Sequence, residues 1–212
     1  MPALTRKRVQ SDVEFILTNA PRLMNVASAT AISFALWHGV NRALLENDNE
    51  TDRREIASGY SGDCAFTAVT RLCLLLDRNP NHVSFQTLYA RLLSDAVVTL
   101  LLTKFDEDSF WTLSDTEHVQ HSVQRFLQTY RSLDWQDLHG RLVHFRNRGI
   151  AHLTPQKIEK RVTYAELESL ARAVAIMGEC MEPFAKDAVP LREEEIKEWS
   201  DRAFVVWKRV LA

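Results

Sequence analysis

The chain has 212 residues, 46% of them hydrophobic and 25% charged, which is ordinary for a soluble globular protein long enough to bury a substantial core. Six glycines and six prolines are too few for a loop-rich or all-β chain, and a net charge of −2 excludes a general basic field that would pull the protein onto nucleic acid. Any anion recognition must therefore be local. Cys64, Cys73 and Cys180 are odd in number and lack CxxC or Cys/His ligand spacing, so a reduced cytoplasmic compartment fits better than a disulfide scaffold. The basic start MPALTRKRVQ lacks a secretory apolar run, and the apolar stretches at 29–37 and 96–102 are too short to span a bilayer. Composition thus predicts a soluble protein with no membrane role.

In chain order, apolar residues recur at helical spacing from Ser11 to about Glu46, with Ser11 and Glu14 spaced as a capping box and Pro21 expected to kink or divide the helix. NDNETD at 47–52 is a polar break. A second helix is predicted from about Ile56 to Asp77, apolar nearly all round at CAFTAVTRLCLLLD and stopped by Pro80. Ser84 is the expected N-cap of a third helix running to Phe105, and a fourth spans Thr116 to Arg131. SLDWQD then opens a helix that stops before Pro155. Thr163 and Glu166 form a capping box for a helix reaching about Ala188. Beyond Pro190, EEEIKEWSDRAFVVWKRVLA reads as an amphipathic helix, acidic at its start and basic at its end as the helix dipole favours. There is no strand alternation. The predicted fold is all-α, a bundle of five to seven helices in a single domain, with an N-terminal helical region at 11–48 and the C-terminal helix at 191–210.

The stretch LVHFRNRGIAHLTP at 142–155 carries the chemistry. An arginine can hold and neutralise a phosphate, and a histidine can move protons near neutral pH. On an ideal helix Leu138, Leu142, Phe145, Gly149 and Leu153 share an apolar arc and Arg146 projects near its middle. A guanidinium there needs a carboxylate, a subunit interface or a bound anion. Asp77 and Asp95 are candidate acids for a purely structural pair. His152 lies roughly 120° from Arg146 on that projection, so the two converge only if the helix loosens near Gly149 or a second chain completes the site. His144 and His152 lack the HExxH glutamate and Arg148 intervenes, so no metal is expected there. Arg141, Arg146, Arg148, Lys157, Lys160 and Arg161 face only Glu159 in this window, a local basic patch suited to a phosphate backbone. No GxGxxG, P-loop, nucleophile elbow or EF-hand loop occurs.

At RNRGIAH the chain resembles the HEPN superfamily (higher eukaryotes and prokaryotes nucleotide-binding), whose signature is an arginine, four to six residues and a histidine, commonly with a polar residue directly after the arginine. Arg146, Asn147 and His152 match it. RLCLLLDRNP, then VSFQTL, then HFRNRGIAH also resembles the bacterial abortive-infection branch, over roughly residues 56–180, within an HEPN-like core at about 56–188. The resemblance implies a metal-independent endoribonuclease without cofactor, acting on RNA as a homodimer whose motif helices meet, in a toxin or antiviral role, with a cognate antitoxin as a candidate partner. It implies that His152 moves the proton, Arg146 stabilises phosphorane charge and Asn147 orients the histidine or the phosphate. The local charge, read beside it, expects Arg141, Arg148, Lys157, Lys160 and Arg161 to hold the RNA backbone. The alternative is a non-catalytic HEPN-like module that binds RNA, nucleotide or protein.

Overall fold

The computed structural model describes residues 6–47, 52–107, 113–133, 135–150, 162–185 and 189–212. Among them the chain is all-α. Eight α-helices follow in order: α1 (Arg6–Leu45), α2 (Asp52–Leu75), α3 (Phe85–Leu92), α4 (Asp95–Glu107), α5 (Leu113–Ser132), α6 (Trp135–His144), α7 (Tyr164–Glu179) and α8 (Glu193–Leu211). A π-helical turn, Phe145–Ile150, continues α6, and a 3-10 turn, Glu182–Phe184, follows α7. The helix count exceeds the five to seven expected because one predicted helix is two. Ser84 does cap α3: its hydroxyl accepts from the Thr87 N–H, and the Thr87 side chain answers to the Ser84 N–H. The helix then ends at Leu92, and α4 leaves at 93° to α3. Ser94 supplies the carbonyl for the first bonds of α4, from the Val97 and Val98 amides, and Asp95 puts an acid in its first turn.

Two further boundaries differ from expectation. Helix α1 begins at Arg6, so Ser11 is interior, and it runs unbroken through Pro21. A proline inside a helix costs about 3 kcal/mol. Burial of Ile16, Ala20, Leu23 and Met24 on either side offsets that cost. The same helix is long and apolar enough by composition to cross a membrane, which the short stretches read from sequence understated, although 56% of its most apolar window is buried within the structure. Helix α7 stops at Glu179 rather than near Ala188, because Pro183 can only continue the chain as a 3-10 turn.

The chain divides into two compact units, each assembled from three separated stretches. The first comprises Met1–Val26, Leu75–Asp134 and Ile176–Pro190. Its core holds Phe85 and Phe126 edge to face at 5.7 Å, with Tyr130 stacked on Tyr89 at 4.2 Å. Burial pushes the Tyr130 hydroxyl up to about 12, and that hydroxyl donates to Gln86 Oε1. Arg91 lies over the Phe15 ring at 3.7 Å and pairs with Asp12 at 3.1 Å.

The second unit comprises Ala27–Leu74, Trp135–Ala175 and Leu191–Ala212. Here α1, α2 and α8 share a cluster of Val40, Ala43, Ala57 and Leu211, with Leu44, Phe204 and Trp207 against it. Arg71 on α2 is satisfied by the Ala29 carbonyl and the Ser33 hydroxyl, both at 2.8 Å. Helices α1 and α8 run parallel, as the pairs His38–Ser200, Arg42–Asp201 and Glu46–Lys208 show. Their approach is close enough to demand Gly39. A Cβ at that position would lie 2.3 Å from the Ser200 carbonyl oxygen and 2.7 Å from the Ala203 Cβ.

Gly39→Ala is therefore expected to destabilise the fold by about 1–3 kcal/mol through overpacking. Gly140→Ala, where an added Cβ meets nothing within 4 Å, is expected to leave stability unchanged or raise it by up to about 1 kcal/mol. Urea unfolding midpoints of the two variants check the contrast.

Candidate functional site

The motif is carried by α6 and the turn that follows it. Leu142 is fully buried and fixes the inward face of α6, while Leu138 and Phe145 are half-buried beside it. The Cys73 thiol on α2 reaches the Leu142 carbonyl at 3.9 Å. The outer side of α6 is tied to the start of α7. Arg141 donates through both terminal nitrogens to the two oxygens of Glu166, at 3.0 Å for Nη1 to Oε2. Such a two-point pair fixes direction as well as distance.

Glu166 also closes the expected capping box. Its Oε2 accepts from the Thr163 N–H at 2.8 Å, and the Thr163 hydroxyl accepts from the Glu166 N–H at 3.3 Å. The Arg141 hydrogen bonds, followed by the Thr163 amide, hold the Glu166 carboxyl well below its ordinary 4.5, at about 2. The sequence identified Glu166 as a cap and Arg141 as a cation for RNA, yet each takes up the other. The signal was available in principle, since a carboxylate has a second oxygen when the first one caps a helix. The partner 25 positions away in sequence was not.

At Phe145 the helix widens into the π turn. In such a turn the amide bonds to the carbonyl five residues back, and single turns of this kind are frequent at functional sites. Arg146, Asn147, Arg148 and Gly149 all lie on it. The helix does loosen around Gly149, and the ideal α-helical projection does not apply to these residues. Arg146 and Asn147 are both half-buried. Nε and Nη2 of Arg146 donate to Asn147 Oδ1 at 3.0 and 2.8 Å. Among the described residues no carboxylate pairs with Arg146. Asp77, one of the two acids considered for it, has its Oδ2 2.6 Å from His82 Nδ1 and its Oδ1 accepting from the Asn79 N–H.

The side-on edge of the Arg146 guanidinium is thus held by a neutral amide. Its end-on edge, Nη1 with the second Nη2 proton, keeps the geometry that meets two oxygens of a phosphate or carboxylate. Just before the turn, His144 has its Nε2 buried with no partner among the described residues. In the sequence His144 stands out only by its spacing from Arg148 and His152. Among the described residues no three His, Cys, Asp or Glu side chains gather as metal ligands. His152, Lys157, Lys160 and Arg161 lie outside the described residues, as does the side chain of Arg148. The structure therefore brings together Arg146 with Asn147, and Arg141 with Glu166.

Comparison with protein-family models, with curated proteins and with solved structures gives no match.

The Arg141–Glu166 pair has a consequence in acid. Because the folded carboxyl titrates below its ordinary value, the pair contributes its stability in full above pH 4.5 and loses it as the pH falls toward about 2. Urea midpoints are expected to fall across that window in the native chain. In Arg141→Met the fall should be shallower, because only the Thr163 bonds then hold the carboxylate. An identical acid profile in the two proteins would show that the pair does not operate in solution.

Proposed function

We propose that this chain is a metal-independent endoribonuclease of the HEPN type, acting in the cytoplasm as a homodimer in a toxin or antiviral role. The observation that carries the reading is the π turn, on which a half-buried arginine is clamped by the next residue's amide and pairs with no carboxylate among the described residues. Held by a neutral amide rather than a carboxylate, Arg146 keeps its full charge for an incoming anion.

In the proposed reaction the ribose 2′-oxygen attacks the adjacent phosphorus and the bond from phosphorus to the 5′-oxygen breaks. The products are a 2′,3′-cyclic phosphate and a free 5′-hydroxyl. His152 takes the 2′-hydroxyl proton or supplies one to the leaving oxygen, and Arg146 bears the charge that builds on the phosphorane oxygens. Asn147 is the positioning residue, since it sets the plane of the guanidinium. One arginine and one histidine per chain are completed by a second copy. Arg148, Lys157, Lys160 and Arg161 supply backbone contacts to the RNA. Arg141, occupied by Glu166, contributes to holding α6 rather than to the RNA.

The purified protein is expected to cleave single-stranded RNA in excess EDTA. His152→Ala should slow cleavage by about 10²–10⁴-fold and Arg146→Ala by about 10²–10³-fold, with helical circular dichroism unchanged. Asn147→Ala should cost less, and Asn147→Asp more than Asn147→Ala because a carboxylate would neutralise the guanidinium. Undiminished cleavage by both Arg146→Ala and His152→Ala would remove this site from the mechanism. RNA binding without any product, weakened by Arg146→Ala, would mark a binding module.

A further inference from the structure

In the second unit α2 and α8 lie side by side and antiparallel. Ala57 and Leu211 share a core cluster, Tyr60 and Trp207 meet ring to ring at 5.4 Å, and Arg53 donates to the Val210 carbonyl at 3.1 Å. As the number rises along α2 it falls along α8. Both helices turn large apolar side chains outward. On α2 these are Ile56, Tyr60, Phe66 and Leu74, with Gly59 and Gly62 open between them. On α8 they are Trp199, Val205, Val206 and Val210.

These side chains are between 39% and 66% exposed. A standard interface buries about 800 Å² on each partner, an apolar centre within a polar rim.

The charge pattern says what covers this face. On α8, Ile196, Trp199, Ala203, Val206 and Val210 follow the alternating three-and-four spacing of a helix–helix seam, with Ala203 already covered by α1 at Gly39. Glu195, Arg202 and Arg209 run beside this seam at intervals of seven. A second α8 laid antiparallel across Arg202 places each Glu195 opposite the other copy's Arg209. Arg202 meets its counterpart at the axis with its charge already bridged to its own Glu198. A parallel arrangement would set glutamate against glutamate and arginine against arginine. The stripe is complementary to itself only when reversed.

We propose that the outward face of α2 and α8 is a self-association surface, on which a second copy of this chain docks antiparallel about a two-fold axis near Arg202. It uses neither Arg146 nor His152; the ribonuclease reading also needs a second copy, and the Val206 and Glu195 variants below distinguish this contact from that one.

Sedimentation of the full chain at micromolar concentrations tests it. The wild type is expected to associate, and Val206→Lys to weaken association by about 30-fold or more without lowering the thermal midpoint, since Val206 is exposed. Glu195→Arg alone should weaken it, and Glu195→Arg with Arg209→Glu should restore it, which a merely hydrophobic contact would not do. Arg146→Ala should leave it intact. A monomeric wild type, an unaffected Val206→Lys variant or a charge exchange that fails to rescue would each overturn the proposal. So would binding to phosphatidylcholine vesicles that Val206→Lys abolishes while the wild type stays monomeric in solution.

Discussion

The two-point pair between Arg141 and Glu166 decides where the motif is presented. It ties the outer side of α6 to the first turn of α7, while Leu142 anchors the inner side in the core. Between those two constraints α6 has little freedom to roll, so the turn that begins at Phe145 leaves in a fixed direction. Glu166 is also fixed from its own side, because the Thr163 amide and hydroxyl both bind it. A carboxylate held at three points is a firmer anchor than an exposed ion pair, whose net contribution is commonly within about 1 kcal/mol.

Local signals in the sequence were legible and long-range ones were not. Ser84 with Thr87 and Thr163 with Glu166 cap their helices as expected, because capping is settled within four residues. The amphipathic final helix was equally plain. Pro21 misled because its cost is local while the burial that offsets it is tertiary. The corner between α3 and α4 falls at Ser94 inside an otherwise periodic apolar pattern, where hydrophobic spacing alone predicts one continuous helix. The closeness of α1 to α8 left a trace only as one glycine, Gly39, in a small-residue stretch. At the motif, the residue types were legible and their geometry was not. An α-helical wheel cannot show a π turn, and nothing local shows that Arg141 is already paired.

Helix α8 serves two purposes with two faces. One packs so tightly on α1 that a single methyl group at Gly39 would collide with backbone. The other leaves Trp199, Val206 and Val210 uncovered and charges its flank in an order that reverses along its length. Tight packing on the first face makes the second a rigid platform. A partner that binds there need not first order the helix, and that saving in conformational entropy is what separates a specific contact from adhesion.

The π turn has a consequence for spacing. A helix that closes its bonds over five residues instead of four has taken in one residue more than its neighbours' register requires. Phe145–Ile150 therefore acts as slack in the chain. Shortening it by one residue would return the helix to ordinary register without disturbing Leu142 or Arg141 upstream. Such a change would re-aim Arg146 and Asn147 while the scaffold before them stays put.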